Sequence, residues 1–270
     1  MRTFSFKLLF IPILIIGFTF QSCKKDEPEP THETTTPTPT PEPEPEPQGA
    51  PNPSPAQFGK KTEKSDGALI AIKTISTTEA GGQTIETSIG TGVAYFTETS
   101  GNFGSFADAG KVELNSKELE IQENMSYVFI PGVLDPTGIS FSSGASWTIA
   151  GKGGTPAFTA SFSDFPATPS ITSTAGIKKG TAYTMEFEAS AADTVLCGLY
   201  SGSVSILKGM KPVNGTNSIT FTADDTKDLA VGETGGFLQV ALVNFSDTEQ
   251  GAKKYVLINE SVTTKIVAVD

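Results

Sequence analysis

The chain is poor in the side chains on which most enzyme active sites depend. Its 270 residues include one histidine (His32), two cysteines (Cys23 and Cys197) and one tryptophan (Trp147). Beyond residue 32 no histidine is available for a Ser-His-Asp or Cys-His arrangement or for a His-based metal site. We therefore expect a folded part without catalysis, without a metal and without a cofactor.

Basic residues are also scarce. Lysine and arginine number 19 against 30 aspartates and glutamates, so the formal net charge is −11. Nucleic-acid binding requires clustered Lys and Arg at the phosphates, and docking on anionic lipid requires basic clusters as well. The sequence therefore argues against both kinds of partner.

The chain has one long apolar run, and it lies near the N-terminus. Leu8–Phe20 follows the basic residues Arg2 and Lys7, with no acidic residue before it. At about 13 residues the run is shorter than the roughly 20 that span a membrane, and its length suits a secretory signal. Ser22, a small residue, directly precedes Cys23. We predict a signal peptide over residues 1–22.

The run Phe20-Gln21-Ser22-Cys23 resembles the lipobox of bacterial lipoproteins, and Lys24-Lys25-Asp26-Glu27 resembles the start of lipoproteins from the phylum Bacteroidota. In that class the cysteine thiol is diacylated, the signal is cut before it, and the new amino group is acylated. The resemblance implies lipidation of Cys23, with the acyl chains holding the protein in the outer membrane and the domain at the cell surface. A cleaved secretory signal with an incidental cysteine and an uncleaved anchor are the alternatives.

Residues 23–56 form the predicted tether. Thr-Pro repeats over 36–40 give way to Glu-Pro repeats over 41–47, and almost nothing apolar is available for a core. Proline fixes φ and removes backbone donors, so such a segment favours extended polyproline II at about 3.1 Å per residue. We interpret the tether as a spacer of roughly 100 Å between membrane and domain.

From residue 57 the chain changes to short β-branched and aromatic runs, separated by Gly, Asn, Ser and Asp every 10 to 15 residues or so. This spacing predicts an all-β sandwich. The Pro-containing stretch Asp164–Pro169 divides about seven predicted strands from about seven more and suggests a domain junction or a sheet-to-sheet crossing. We predict two tandem immunoglobulin-like β-sandwiches, residues 57–165 and 166–270. One large sandwich is the alternative.

Few residues stand out as candidate contacts. Trp147 is a candidate sugar-stacking platform, although a place between the sheets is the simpler interpretation. Asp193-Thr194-Val195 resembles the Bacteroidota O-glycosylation site, which makes Thr194 the candidate acceptor. Asp224–Asp228 is dense in carboxylates but lacks the alternating spacing of a calcium loop. Cys197, in an apolar run, is expected to be a buried thiol.

The leading hypothesis is a lipid-anchored lipoprotein that displays non-catalytic β-sandwich domains for binding or for a structural role. Its partners would be the membrane, through the acyl chains, and a protein or glycan ligand that the sequence does not identify. One alternative is a glycan-binding or glycan-processing accessory protein of a nutrient-uptake system. Another is a subunit of a surface fibre that assembles through a sheet edge.

Overall fold

A computed structural model describes residues 64–80, 83–102, 105–133 and 135–270. The predicted signal peptide, Cys23, His32 and the tether lie outside these residues. Strands dominate the described part, as the spacing of apolar runs predicted, and its one α-helix is a single turn. The prediction of an all-β fold is confirmed.

The strands differ widely in length, from two residues to nineteen. In chain order they are β1 (Gly67–Ala80), β2 (Gln83–Phe96), β3 (Val112–Leu114), β4 (Lys117–Glu118), β5 (Glu120–Ile121), β6 (Tyr127–Phe129), β7 (Ala145–Ile149), β8 (Phe158–Phe162), β9 (Ser170–Ile171), β10 (Tyr183–Ala189), β11 (Thr194–Ser201), β12 (Val204–Met210), β13 (Gly215–Phe221), β14 (Gly232–Gln250) and β15 (Lys253–Val269). The helix α1 (Ala223–Thr226) lies between β13 and β14.

Three sheets are present among the described residues. The largest has the order β12-β11-β14-β15-β1-β2-β6-β5, the second is β4-β3-β7-β8 and the third is β13-β10-β9. In the largest sheet β1 pairs in parallel with β15, from Gly67 beside Tyr255 to Ser76 beside Thr264. The first long strand of the described part is therefore bonded directly to its last.

Both small sheets pack against the same face of the large sheet, which we call the inner face. The four-stranded sheet and β1, β2, β6 and β15 form one apolar core that contains Trp147, Phe96 and Tyr255. The three-stranded sheet and β11, β14 and β15 form a second core that contains Met185 and Phe221. Two cores therefore lie side by side on one continuous sheet.

The predicted boundary between residues 165 and 166 falls between β8 and β9. Strands from both sides of it belong to the eight-stranded sheet, and the described residues fall within one compact unit by their contacts. The shared sheet favours the alternative of one large sandwich. The number of domains and the immunoglobulin-like type stay predictions.

The stretch Asp164–Pro169 passes from the four-stranded sheet to the three-stranded one, so the predicted sheet-to-sheet crossing is present. Alternate side chains of β15, which lie on the inner face, donate hydrogen bonds to the backbone of this stretch and its neighbours. Asn259 Nδ2 donates to the carbonyl of Phe162, and Ser261 Oγ to the carbonyl of Pro166. Farther along, Thr263 donates to Pro169 and Lys265 to Ser173. Polar residues in a buried strand thus satisfy the backbone of a crossing segment.

The sequence predicts a hairpin that joins Val112–Leu114 to Leu119–Ile121 and a hairpin turn at Asn214-Gly215, and both differ from the structure. Leu114 and Lys117 pair across a turn at Asn115 and Ser116, whose positive φ values of 47° and 64° suit a tight hairpin. The strand after that turn is short, however, because Glu120 and Ile121 pair with β6 in the large sheet. The predicted hairpin at Asn214-Gly215 is wrong, since β12 and β13 belong to different sheets.

Candidate functional site

Trp147 is a core residue in this fold. It lies in the middle of β7, beside Leu114 of β3 and Ala160 of β8. Its exposed fraction is 0%, and it belongs to the first core. A sugar could stack on this ring only if the core opened, because no face of the indole reaches the surface.

Thr194 begins β11 and is 7% exposed. Its Oγ1 donates a 3.1 Å hydrogen bond to the carbonyl of Met210 on the neighbouring β12. A glycosyltransferase that met the folded domain could not reach this hydroxyl. Modification of Thr194 would therefore have to precede folding.

Cys197 is a buried, free thiol in the second core. Burial raises its pKa well above the ordinary value, because the apolar surroundings disfavour the thiolate. A nucleophilic cysteine needs the opposite environment, with a nearby base or cation. The side chain packs as a small apolar residue, as its sequence context predicted.

The carboxylates near residue 225 cap a helix. Thr222 Oγ1 accepts a hydrogen bond from the N–H of Asp225, and the Asp225 carboxylate accepts one from the N–H of Thr222. Such a capping box satisfies two backbone donors at the start of a helix. Among the described residues, no group of three or more His, Cys, Asp or Glu side chains could hold a metal ion.

One open concavity, which we call the polar depression, has a volume of about 830 Å³. It lies where the β3–β4 hairpin, β5 and the turn before β8 meet. Its lining combines charged side chains with a small apolar floor: Asp108, Gly110, Lys111, Glu118, Leu119, Glu120, Ile121, Tyr127 and Lys152.

Asp108 is the best-connected group of the polar depression. Its Oδ2 lies 2.7 Å from Lys152 Nζ, and its Oδ1 accepts hydrogen bonds from the Gly110 N–H and the Tyr127 hydroxyl. The hydrogen bond from Lys152 lowers the pKa of Asp108 to about 2, with further help from Gly110. Burial raises the pKa of Tyr127 to about 12. At neutral pH Asp108 is therefore ionised and Tyr127 is protonated.

Lys111 and Glu118, which also line the depression, form an ion pair. Lys111 Nζ lies 3.0 Å from Glu113 and 3.4 Å from Glu118, and its pKa is raised by the bond to Glu113 first and the bond to Glu118 second. General acid–base catalysis needs a group whose pKa lies near the working pH. The pKa values of Asp108, Tyr127 and Lys111 are all shifted further from neutral pH. Asp108, Tyr127 and Lys111 therefore keep one protonation state around neutral pH.

Sequence reasoning missed Glu260, which is 5% exposed in the middle of β15. Its carboxyl faces away from both cores, and no hydrogen bond or ion pair joins it to another described residue. Burial raises its pKa to about 7. A signal was available: Val256, Ile258 and Val262 alternate with period two, and Glu260 occupies the same series. The polar run Asn259-Glu260-Ser261 instead favoured a turn between two short strands.

No helix of the described residues is long and apolar enough to cross a membrane. The sequence matches no known protein family, and no curated protein is significantly similar to it.

Proposed function

We propose that the chain is a lipid-anchored outer-membrane lipoprotein, acylated at Cys23, that displays a non-catalytic β-sandwich at the cell surface. The observation that carries this proposal is the order of three segments. The apolar run Leu8–Phe20 ends at a lipobox-like cysteine, the Pro- and Glu-rich stretch follows at once, and the strands begin only after it. That order suits a domain held away from a membrane.

Anchoring through Cys23 is physically sufficient only with several acyl chains. Each buried CH₂ contributes about 0.8 kcal/mol, and a single chain gives marginal, reversible binding. Lipoprotein acylation would supply two chains on the thiol and one on the amino group. The proposed partner at this end of the chain is therefore the bilayer.

A binding or structural role is supported by the chemistry of the folded part. Asp108 and Lys111 are held in their charged forms, Cys197 is protonated, and no metal-ligand cluster is present among the described residues. The polar depression offers charged and hydroxyl groups to a ligand without offering a group poised for proton transfer. We assign the domain no catalytic activity.

Replacement of the cysteine tests the anchor. The native chain should incorporate a fatty-acid analogue in cells and remain with the membrane fraction. Cys23→Ala should lose the label and appear in the soluble fraction. Cys197→Ala is the matched control, since its thiol is buried and should carry no acyl chain. Retained labelling of Cys23→Ala would disprove the proposal.

Surface display needs a separate experiment. Protease added to intact cells should remove the domain by cutting in the tether, while a periplasmic marker protein stays whole. Full protection of the domain would place it on the periplasmic side and would leave the acyl anchor unaffected.

The glycan-handling alternative loses its predicted platform, because Trp147 has no exposed surface. Among the described residues, the polar depression is a concave surface on which a sugar could lie, with Tyr127 and Ile121 in its lining. The alternative of a fibre subunit that pairs through a sheet edge is weakened by Lys208, which lies on the edge strand β12 with its charge turned inward to Asp225. Neither alternative has an observation that favours it over the leading proposal.

A further inference from the structure

The large sheet has a second apolar face, opposite the two cores, which we call the outer face. Seven of its side chains are at most 4% exposed, among them Val243, Val256 and Ile258. All members of this cluster belong to the eight-stranded sheet: Ala68, Leu196, Ala241, Val243, Val256, Ile258 and Val262, with Ile70, Ile72, Tyr95, Leu207 and Phe245 partly buried against them. Among the described residues, neither small sheet contributes to it.

The described residues therefore do not account for the burial of the outer face. Outside them, the chain has one long apolar run, Leu8–Phe20. If the proposed processing before Cys23 takes place, the mature chain lacks this run. The remaining undescribed stretches are dominated by Pro, Glu and Thr, with few large apolar side chains such as Phe58. Residues 23–63 thus contain no apolar run comparable to Leu8–Phe20 that could cover the outer face.

The outer face remains apolar as far as its solvent-exposed end. Ile266 follows Val262 and Thr264 on the same side of β15 and is 62% exposed. From Val256 to Ile266 the face is about 33 Å long at roughly 3.3 Å per residue, and from β12 to β2 it is about 24 Å wide. The product, about 800 Å², equals what one partner contributes to a standard protein interface.

Polar groups without partners lie near the centre of the outer face. Glu260 neighbours Ile72 on β1, and Ile72 neighbours Thr91 on β2. The hydroxyls of Thr74 and Thr91 are buried and have no hydrogen-bond partner among the described residues. Buried polar groups are almost always hydrogen-bonded in native proteins. The two hydroxyls and the Glu260 carboxyl are therefore polar groups within an otherwise apolar surface, available to bond the polar atoms of a partner.

We propose that the outer face is the interface of a dimer, in which a second copy of this chain occupies it in the mature protein. A single helix, about 10 Å across, would leave much of the 24 Å width uncovered, whereas a second sheet packs face to face at about 10 Å. Two-fold symmetry places the same patch opposite itself. The inference rests on the proposed function, because only processed chain lacks Leu8–Phe20.

Sedimentation velocity of the mature chain tests the dimer. The protein is residues 23–270 carrying Cys23→Ser, which keeps the tether and removes the acyl chains. We expect a concentration-dependent dimer that strengthens with added salt, because salt screens the repulsion between two acidic copies. A monomer at every concentration and salt level would overturn the inference.

Matched substitutions locate the interface. Ile266→Glu should weaken the dimer at least about tenfold, a loss of about 1.4 kcal/mol or more. Val213→Glu is the control, because Val213 is an equally exposed β-branched residue, at 63%, before β13. Equal effects of the two variants, or no effect of Ile266→Glu, would place any dimer elsewhere and overturn the inference.

Hydroxyl-radical footprinting keeps the inference testable if Ile266→Glu folds poorly. Phe245 in the native mature chain should be oxidised more slowly as concentration rises through the dimerisation range. Unchanged oxidation would contradict an interface on the outer face. The anchor is judged separately by acyl labelling of Cys23, so failure of the dimer and failure of the proposed function give different results.

Discussion

Ser261 and Pro166 are joined by a hydrogen bond of 2.6 Å, from the hydroxyl of one to the carbonyl of the other, and both atoms are buried. The bond connects the last strand of the chain to the segment that crosses between the small sheets. Because Pro166 has fixed φ and no N–H, its carbonyl is the group through which this residue can bond to the strand. The position of the crossing segment thus depends on polar side chains in a buried strand.

Removal of that hydroxyl should destabilise the fold. Ser261→Ala leaves the carbonyl of Pro166 without its donor, so we expect a loss of about 1 to 3 kcal/mol in the free energy of unfolding. Urea denaturation at pH 7 measures it. Ser161→Ala on the exposed side of β8 is the control and should change stability by less than about 0.5 kcal/mol. Similar values for the two variants would show that the buried bond contributes nothing.

The sequence predicted the strands better than their arrangement. Alternation in the sequence predicts a strand over Phe158–Phe162 and another whose buried face carries Tyr183, Met185 and Phe187, and β8 and β10 match these predictions. The period-two alternation of apolar and polar residues indicates which side of a strand is buried, and a single sequence is enough to detect it. It does not report which strand is the neighbour. The parallel pairing of β1 with β15 joins residues nearly two hundred positions apart and left no local signal.

Two strand predictions failed for one physical reason. The apolar pattern predicts separate strands over Tyr255–Ile258 and Val262–Val269, but both are parts of β15. The polar residues between them indicated a turn, because polar runs usually mark exposed loops. Here Asn259 and Ser261 are polar because they bind the backbone of the crossing segment. Trp147 packs in the first core, as its simpler interpretation predicted, although one aromatic residue gives no information about which sheet covers it.

Glu260 should make stability depend on pH. Its pKa in the folded protein is raised by burial from 4.5 to about 7, so the folded state binds the proton more tightly than the unfolded state. Its unfavourable contribution begins as pH rises through about 4.5 and is complete above about 7. Glu260→Gln should therefore raise the free energy of unfolding at pH 8 by up to about 3 kcal/mol, at about 1.4 kcal/mol per pKa unit.

The gain should disappear in acid. At pH 4 the native carboxyl is neutral in both states, so native chain and Glu260→Gln should be equally stable. Denaturant unfolding at a series of pH values from 4 to 8 gives the comparison. Glu186→Gln, on the exposed side of β10, is the control. A stability difference that stays constant across this range would contradict the raised pKa.

Asp66 should have the opposite pH dependence. Burial raises its pKa, but hydrogen bonds from the Lys254 N–H at 2.8 Å and from Ser100 Oγ at 2.8 Å outweigh burial, so the pKa lies below 3.8. Its stabilising contribution is present above pH 3.8 and is lost as pH falls through the lower folded value. Asp66→Ala should cost about 3 kcal/mol at pH 7, since the buried Lys254 N–H loses its acceptor.

The cost of Asp66→Ala should shrink in strong acid, where the native carboxylate is itself protonated. Asp135→Ala provides the comparison, because the ion pair of Asp135 with Lys117 is 2.9 Å long but solvent-exposed. Exposed pairs contribute about 0 to 1 kcal/mol. If Asp66→Ala and Asp135→Ala lower the free energy of unfolding equally at pH 7, the hydrogen bonds of Asp66 contribute no more than an exposed ion pair.

Lys208 should protect the edge of the large sheet from association with other chains. It lies on edge strand β12, its Nζ is 2.8 Å from Asp225 Oδ2 and it donates a 2.7 Å bond to the carbonyl of Thr220. A lysine turned inward on an edge strand makes pairing with a foreign strand costly, because the charge would lose its partners.

Lys208→Met keeps most of the side-chain stem and removes the charge, so it should increase aggregation on mild heating. Light scattering follows the aggregation, and Lys227→Met, whose charge is exposed beside Asp224, serves as the control. If both variants scatter light alike, or if Lys208→Met stays as soluble as the native chain, the inward lysine does not protect this edge.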